Sequence, residues 1–331
     1  MPANLTHQYL KAENEYRKAS TPEEELRCLQ VMLRELPKHK GTDKLQADLK
    51  RRISEAKKES EQQGKDKGKR GSGFRLPRQG AGRAVIIGGP NAGKSQLLSS
   101  LTRATPEIAE YPFTTHQPAP GMMQWEDVTV QLVDTAPITA DVFDPITQGL
   151  IRSADLILLV VDLGNDDGVD HLQEVLDHLG RTKTQLARDS YLDENDVGLS
   201  YTRTFAVLNK MDALDSAERR ELLKEFCPLD FEEYAVSAQE PATLESLRHA
   251  IYDSMDVVRV YTKLPNKKEP DYDRPFTIRR GGTLLEIAQM IHKDFSSSLK
   301  HARVWGSEVH DGTTVKGDYV LNDKDVIELH T

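Results

Sequence analysis

A chain of 331 residues with 37% hydrophobic and 29% charged side chains has the balance of a folded globular protein and the length of two domains with room for a smaller third. No apolar run approaches the roughly 18 residues of a membrane helix, the opening MPANLTHQYLKAENEY has no apolar signal core or small-residue cleavage site, and Cys28 and Cys227 form no metal-ligand spacing, so a membrane protein, a secreted one and a disulfide scaffold are set aside and cytoplasmic residence is expected. The net charge of −9 hides an asymmetry: residues 1–80 carry 19 Lys+Arg against 12 Asp+Glu, a net of +7, which leaves −16 for the rest.

Residues 1–63 read as a helical hairpin. Thr21-Pro22-Glu23-Glu24 supplies a capping hydroxyl, a proline at the first helical position and early acidic residues, and Leu26, Leu29 and Leu33 follow on one face until Pro37. A second helix starts near Thr42, with Leu45, Leu49 and Ile53 spaced by four and Lys50, Arg51, Arg52, Lys57 and Lys58 on the other sides. Residues 64–82, GKDKGKRGSGFRLPRQGAG, have no periodicity and many glycines and cations, the composition of a basic flexible linker.

From 83 to 257 apolar runs alternate with helix-compatible stretches. Ala84 to Ile87, Val128 to Val133, Leu156 to Val161 and Phe205 to Leu208 read as strands, and Gln96 to Leu101 and His171 to Leu179 as helices, which predicts an α/β domain with a mainly parallel sheet covered on both faces. Directly after the first strand stands Gly88-Gly89-Pro90-Asn91-Ala92-Gly93-Lys94-Ser95, the phosphate-binding pattern G-x-x-x-x-G-K-S, running into the helix that begins near Gln96. Its glycines let successive N–H groups turn toward phosphate oxygens at a helix N-terminus, Lys94 reaches the β/γ oxygens, and the Ser95 hydroxyl is a magnesium ligand.

Asn209-Lys210-Met211-Asp212 follows the strand at Phe205 to Leu208 and suits base recognition. Asp212 can accept from guanine N1 and its 2-amino group while the Lys210 stem covers the base; adenine offers neither donor, so ATP would leave the carboxylate unpaired. Ser237-Ala238-Gln239, after a short strand at Tyr234 to Val236, is positioned to offer backbone N–H groups to guanine O6.

Residues 258–331 are of a different kind. Arg259 to Thr262 and Pro275 to Ile278 read as strands, Thr283-Leu284-Leu285-Glu286 is a capping box ahead of Leu284, Ile287, Ala288, Ile291 and Phe295, and Asp325 to Leu329 is a closing strand, a sequence of elements that suits a small β-grasp module.

These motifs together resemble the Obg and developmentally regulated branch of GTP-binding proteins. GGPNAGKS, YPFTTHQPAPG at 111–121 and NKMD carry the resemblance in the central domain, and VYTKLP at 260–265, RRGGT at 279–283 and HARVWG at 301–306 resemble a TGS domain, a β-grasp fold. These motifs cover about three quarters of the chain; the N-terminal hairpin resembles the helical extension of the developmentally regulated type more loosely, and that family's large insertion in the GTPase domain is not found in the sequence. The resemblance implies GTP and GDP as ligands with Mg2+, held by Ser95, Asp134 and a threonine of the first switch. Thr115 is favoured for that threonine and Thr114 is the alternative. It also implies a ribosome or RNA partner, to which the +7 N-terminal segment is suited; Lys65, Lys67, Lys69, Arg70, Arg75 and Arg78 are the expected phosphate contacts. No membrane and no reading of DNA sequence are expected.

The chain departs from the family pattern after Val133, where D-x-x-G should stand and the sequence has Asp134-Thr135-Ala136-Pro137. Proline has no N–H to donate to the γ-phosphate, and Ile138 stands where many GTPases carry a water-orienting glutamine. Slow intrinsic hydrolysis is expected, with Lys94, Thr115 and Asp134 as the catalytic set. Asn91 has two readings, a helper in holding K+ near the phosphates, as the resemblance suggests, or a turn residue after Pro90. A slow GTP-hydrolysing switch is the leading function; a non-catalytic adaptor that only holds guanine nucleotide is the alternative, and an ATPase is opposed by Asp212.

Overall fold

The computed structural model describes residues 5–19, 22–37, 40–65, 76–102, 118–139, 143–193, 195–265, 267, 269–292 and 295–330. Three helices open the chain instead of a hairpin of two: α1 (His7–Lys18), α2 (Pro22–Glu35) and α3 (Asp43–Lys65). The Thr6 hydroxyl caps α1 by accepting from the Tyr9 N–H at 3.1 Å. Tyr9, Ala12 and Tyr16 of α1 pack with Leu29 and Met32 of α2 and with Leu45 and Leu49 of α3. The cap expected at Thr21 lies outside the described residues.

The central domain follows as β1 (Arg83–Gly88), α4 (Lys94–Thr102), β2 (Ala119–Trp125), β3 (Val128–Asp134), α5 (Pro145–Ser153), β4 (Leu156–Asp162), α6 (Gly168–Gly180), β5 (Thr184–Ala187), β6 (Tyr191–Leu192), β7 (Ser200–Asn209), α7 (Ser216–Phe226), β8 (Glu232–Ala235) and α8 (Glu245–Ser254). The sheet runs β2-β3-β1-β4-β7-β5, with β6 and β8 also on β7. Its centre is parallel, from β3 through β1 and β4 to β7. β1 and β4 are buried throughout, as a parallel strand covered on both faces must be. One core cluster, with Ile86, Leu101 and Phe205, fills one side of the sheet and a second, with Ile87, Ile151 and Leu208, the other. Among the described residues β2 is an antiparallel edge strand with β3 as its one partner, a position that tolerates Pro120.

The helical bundle is seated on the central domain. Leu192 and Val197 enter its core, the Leu192 N–H donates to Glu13 Oε1 at 2.8 Å and the Val197 N–H to Asp48 Oδ2 at 2.8 Å. The end of the expected linker is also bound: Gly80 bridges to Val130, the Ala81 N–H donates to Thr129 O at 2.8 Å, and Arg78 is engaged by Asp155 and the Ser153 carbonyl. Residues 76–82 are thus part of the central domain, and the phosphate-contact role expected of Arg78 meets a side chain already in an ion pair.

The C-terminal module comprises β9 (Val257–Thr262), β10 (Asp271–Arg279), α9 (Leu284–Ile291), a turn of helix α10 (Phe295–Ser298), β11 (His301–Gly306), β12 (Val309–Val315) and β13 (Asp325–His330). Its sheet order is β10-β9-β13-β11-β12, with β9 and β13 parallel. Leu284, Ile287 and Ala288 of α9 pack on Val258, Val260, Val304 and Ile327. The capping box is formed, the Thr283 N–H donating to Glu286 Oε2 at 3.1 Å. The β10 register shifts between Asp271 and Phe276, around Pro275.

Asp155, just before β4, joins all three parts. Its carboxylate accepts from the Arg83 N–H at 2.9 Å and meets Lys18, Arg78 and, at 3.4 Å, Arg279 of the C-terminal module. Burial pushes its pKa up, but Lys18 and Arg78 outweigh that and hold it down to about 2.

Candidate functional site

The loops after β1, β3, β4, β7 and β8 meet at one end of the sheet, where open α/β sheets bind ligands. β1 ends at Gly88, and the chain turns through Asn91, whose φ of +56° is left-handed, and Gly93, at +87°. A Cβ on Gly93 would stand 2.4 Å from Asn209 Nδ2, so both conformation and space require glycine. α4 then opens on Lys94 and Ser95.

Lys94 is buried, and its ammonium donates to the carbonyls of Gly88 at 3.2 Å and Gly89 at 2.7 Å. Burial pulls its pKa down while Asp134 pulls it up. The Ser95 hydroxyl donates to Asp134 Oδ2 at 2.5 Å. Burial raises the Asp134 carboxyl against the Ser95 bond and the Lys94 charge, and its Oδ1 is buried with no hydrogen-bond partner among the described residues. An unpartnered carboxylate oxygen beside a serine hydroxyl is an oxygen donor set that fits a hard cation such as magnesium. No cluster of three His, Cys, Asp or Glu that could hold a metal unaided is found among the described residues. Gln96, on the first turn of α4, is exposed.

Asn209 ties three motifs together. At 0% exposure, its Nδ2 donates to Ala92 O at 2.9 Å and its Oδ1 accepts from the Ala238 N–H at 3.1 Å. Lys210, at φ +63°, donates to Asn91 O at 2.9 Å and to Asp162 Oδ2 at 2.7 Å, which lays its stem across the mouth of the site. Asp212 is exposed on the turn that follows. The amides of Ser237 and Gln239 donate to Thr243 Oγ1 at 3.0 Å and Ser237 Oγ at 3.3 Å. All three amides expected to face guanine O6 therefore have partners within the protein, and a contact to O6 would have to share or exchange one of these bonds.

Asp162 was not among the residues read from sequence. It is buried at the end of β4, accepts from the Gly164 N–H at 2.7 Å and from Asn165 Nδ2 at 3.0 Å, and holds the Lys210 ammonium. The signal was an aspartate closing the otherwise apolar strand Leu156 to Val161.

Thr114 and Thr115 lie outside the described residues. Pro137 is exposed in the loop after β3, while Ile138, at 1% exposure, sits in the core beneath it and donates its N–H to Gly88 O at 3.2 Å. The Ile138 side chain belongs to the packing under the site, not to the site.

Residues 83–190 match the model of the 50S ribosome-binding GTPase family, and residues 258–331 match the TGS domain model. An uncharacterized GTP-binding protein of Methanocaldococcus jannaschii is 27% identical over 93% of this chain and 92% of its own length. A developmentally-regulated GTP-binding protein 2 homolog of Dictyostelium discoideum is 26% identical over 92% and 98%. The solved Schizosaccharomyces pombe YchF GTPase is similar in fold, with a TM-score of 0.50 at 15% identity over 78% of this chain and all of that one. Fold, motif order and these two models define the class, a P-loop GTPase domain followed by a TGS domain. Within that class the chain's full-length similarity is to GTP-binding proteins of the developmentally regulated type.

Proposed function

We propose that this protein binds guanine nucleotide at this site and hydrolyses GTP to GDP and phosphate, slowly, as a cytoplasmic switch that acts on ribosomes or RNA. The observation that carries the proposal is the joining of the phosphate loop to the base-reading turn through Asn209 and Lys210. Phosphate and base subsites are held at a fixed spacing by the two buried Asn209 bonds and the Lys210 bond at the mouth, as a ligand bearing both groups needs.

In this reading the amides of residues 88–95 and the Lys94 ammonium take the phosphates, and Asp212 takes the guanine edge. Ser95, Asp134 and Thr115 would hold magnesium, which when bound supplies charge neutralisation on the β/γ oxygens. Water attacks the γ-phosphorus and the bond to the GDP oxygen breaks. With Ile138 committed to the core, no side chain at that position orients the water, and the rate is low. Lys94→Ala should abolish multiple-turnover GTP hydrolysis that the wild type performs. Equal phosphate release by both proteins would reject the site as the catalytic one.

Pro137, exposed and without an N–H, favours a second reading, an adaptor that holds GTP or GDP without turning it over. Wild-type protein that binds GTP tightly but releases no phosphate would select it. For the partner, co-sedimentation with ribosomal subunits should differ between GDP and a non-hydrolysable GTP analogue; identical pelleting with both, or none with either, would count against a ribosomal switch.

A further inference from the structure

The hairpin formed by β2 and β3 has its root in the candidate site and its tip in the C-terminal domain. At the root, Asp134 stands opposite Ala119 and bonds Ser95 at 2.5 Å; at the tip, Trp125 stands opposite Val128 across the turn of Glu126 and Asp127. The pairing between these ends is unbroken over seven register positions, so the hairpin is a stiff two-stranded lever. β3 also pairs with β1 from Arg83↔Gln131 to Ile86↔Asp134, which couples any sliding or tilting of the hairpin to the strand that delivers the phosphate loop.

The tip is gripped by β9. The Arg259 guanidinium, in a residue only 5% exposed, lies between two sets of carboxylates. On its own domain's side, Nη2 donates to Asp323 Oδ2 at 2.7 Å and Nε to Asp323 Oδ1 at 3.1 Å. Toward the hairpin, Nη1 donates to Asp127 Oδ1 at 3.0 Å and to Glu126. The Tyr261 hydroxyl donates to the other Asp127 oxygen. An apolar backing completes the grip: Trp125 stacks on Tyr252 of α8 at 6.1 Å, and the Arg259 guanidinium covers the same Tyr252 ring at 5.7 Å. Part-buried charge-assisted bonds of this kind, made by a guanidinium that is itself buried, hold geometry closely, because breaking them strands the Arg259 charge.

We propose that the C-terminal domain is a clamp on this hairpin, with Asp127 as the contact through which the seating of that domain and the state of the nucleotide site control each other. The inference rests on the guanine-nucleotide reading of the site. A clamp at the tip resists displacement at the root, so any shift of Asp134 from its place beside Ser95 that a γ-phosphate requires is opposed there. Whatever draws the C-terminal domain away therefore frees Asp134, and by reciprocity a nucleotide that displaces Asp134 loosens the seat of the domain by the same factor.

Two single variants enter the contact from opposite sides. Asp127→Ala removes one of the hairpin's two carboxylates, with the only partner of the Tyr261 hydroxyl in this contact, and leaves Glu126 and the Arg259–Asp323 pair in place; Tyr261→Phe removes one hydroxyl and leaves the turn untouched. Full-length wild type and variants are titrated with fluorescent GDP and with a fluorescent non-hydrolysable GTP analogue. The analogue-to-GDP affinity ratio should rise by about fivefold or more in Asp127→Ala, move in the same direction in Tyr261→Phe, and move in the double variant by less than the product of the single effects. Hydrogen exchange at residues 257–262 should differ between the two nucleotides in wild type and lose that difference in Asp127→Ala. Wild type that discriminates the nucleotides, with the same ratio in both variants, overturns the clamp and leaves the site reading standing. Wild type that binds neither nucleotide overturns both, and is seen before any variant is compared.

Discussion

Pro137 sets this site apart from the D-x-x-G pattern by removing one donor from the loop after β3. A missing charge-assisted bond to the γ-phosphate is worth roughly 1.5–3 kcal/mol, so the preference for a GTP analogue over GDP should be modest. Pro137→Gly restores an N–H in an exposed loop, and the analogue-to-GDP affinity ratio should rise about tenfold; a ratio that stays level or falls would show that another group senses the γ-phosphate. Asn91 is a similar case. Its left-handed φ satisfies the turn reading, since asparagine tolerates that conformation, while its exposed amide at the mouth of the site leaves the potassium reading to experiment. If Asn91 holds K+, hydrolysis runs faster in potassium than in sodium at equal ionic strength and Asn91→Ala removes the difference. Equal rates in the two salts would leave only the turn. These residues were legible because G-x-x-x-x-G-K-S and NKMD are local patterns whose chemistry depends on spacing along the chain. Asp162 was not, because its role depends on the approach of Lys210 from 48 residues away.

At the scale of elements, the strands with continuous apolar runs could be read, and an edge strand such as β2 could not. β1 and β4 announce themselves, whereas β2, with Pro120 and Gly121, has little of the pattern of a strand. α1 escaped for a related reason: Tyr9, Ala12 and Tyr16 make its buried face, without the leucine spacing that marks α2 and α3. The join between elements at Asp155 is equally invisible in sequence, since its partners come from three segments. It makes a prediction in pH. The folded carboxyl, held down to about 2, lies below the ordinary value of about 3.9, so its contribution is complete above about pH 4 and is lost as pH falls from there toward about 2. Asp155→Asn should cost about 2–3 kcal/mol at neutral pH, and the gap from wild type in denaturant melts should narrow between about pH 4 and about pH 2. A gap that is absent at neutral pH, or constant across the range, would contradict this role.

Over the whole molecule, the division into a helical segment, a phosphate-binding domain and a β-grasp module followed from shifts of composition and period along the chain. What did not follow is how closely the parts are joined, because burial of Leu192 and Val197 in the bundle and the grip of Arg259 on Asp127 pair residues from distant segments. Removing residues 1–80 to test RNA binding would strip the bundle from those side chains. Replacing Lys65, Lys67, Lys69 and Arg70 with Gln is the cleaner test: binding to RNA should weaken and its dependence on salt become shallower, by about 0.7 in slope for each phosphate that is no longer neutralised. An unchanged slope would move the RNA-binding surface elsewhere. Recognition of guanine is tested most directly by equilibrium titration of wild type and Asp212→Asn with GTP, xanthosine triphosphate and ATP. Wild type should bind GTP and discriminate strongly against the other two, and Asp212→Asn should lose affinity for GTP and gain it for xanthosine triphosphate, whose 2-oxo group accepts from the new amide. Unchanged GTP affinity in the variant, or wild type that binds ATP as well as GTP, would contradict it.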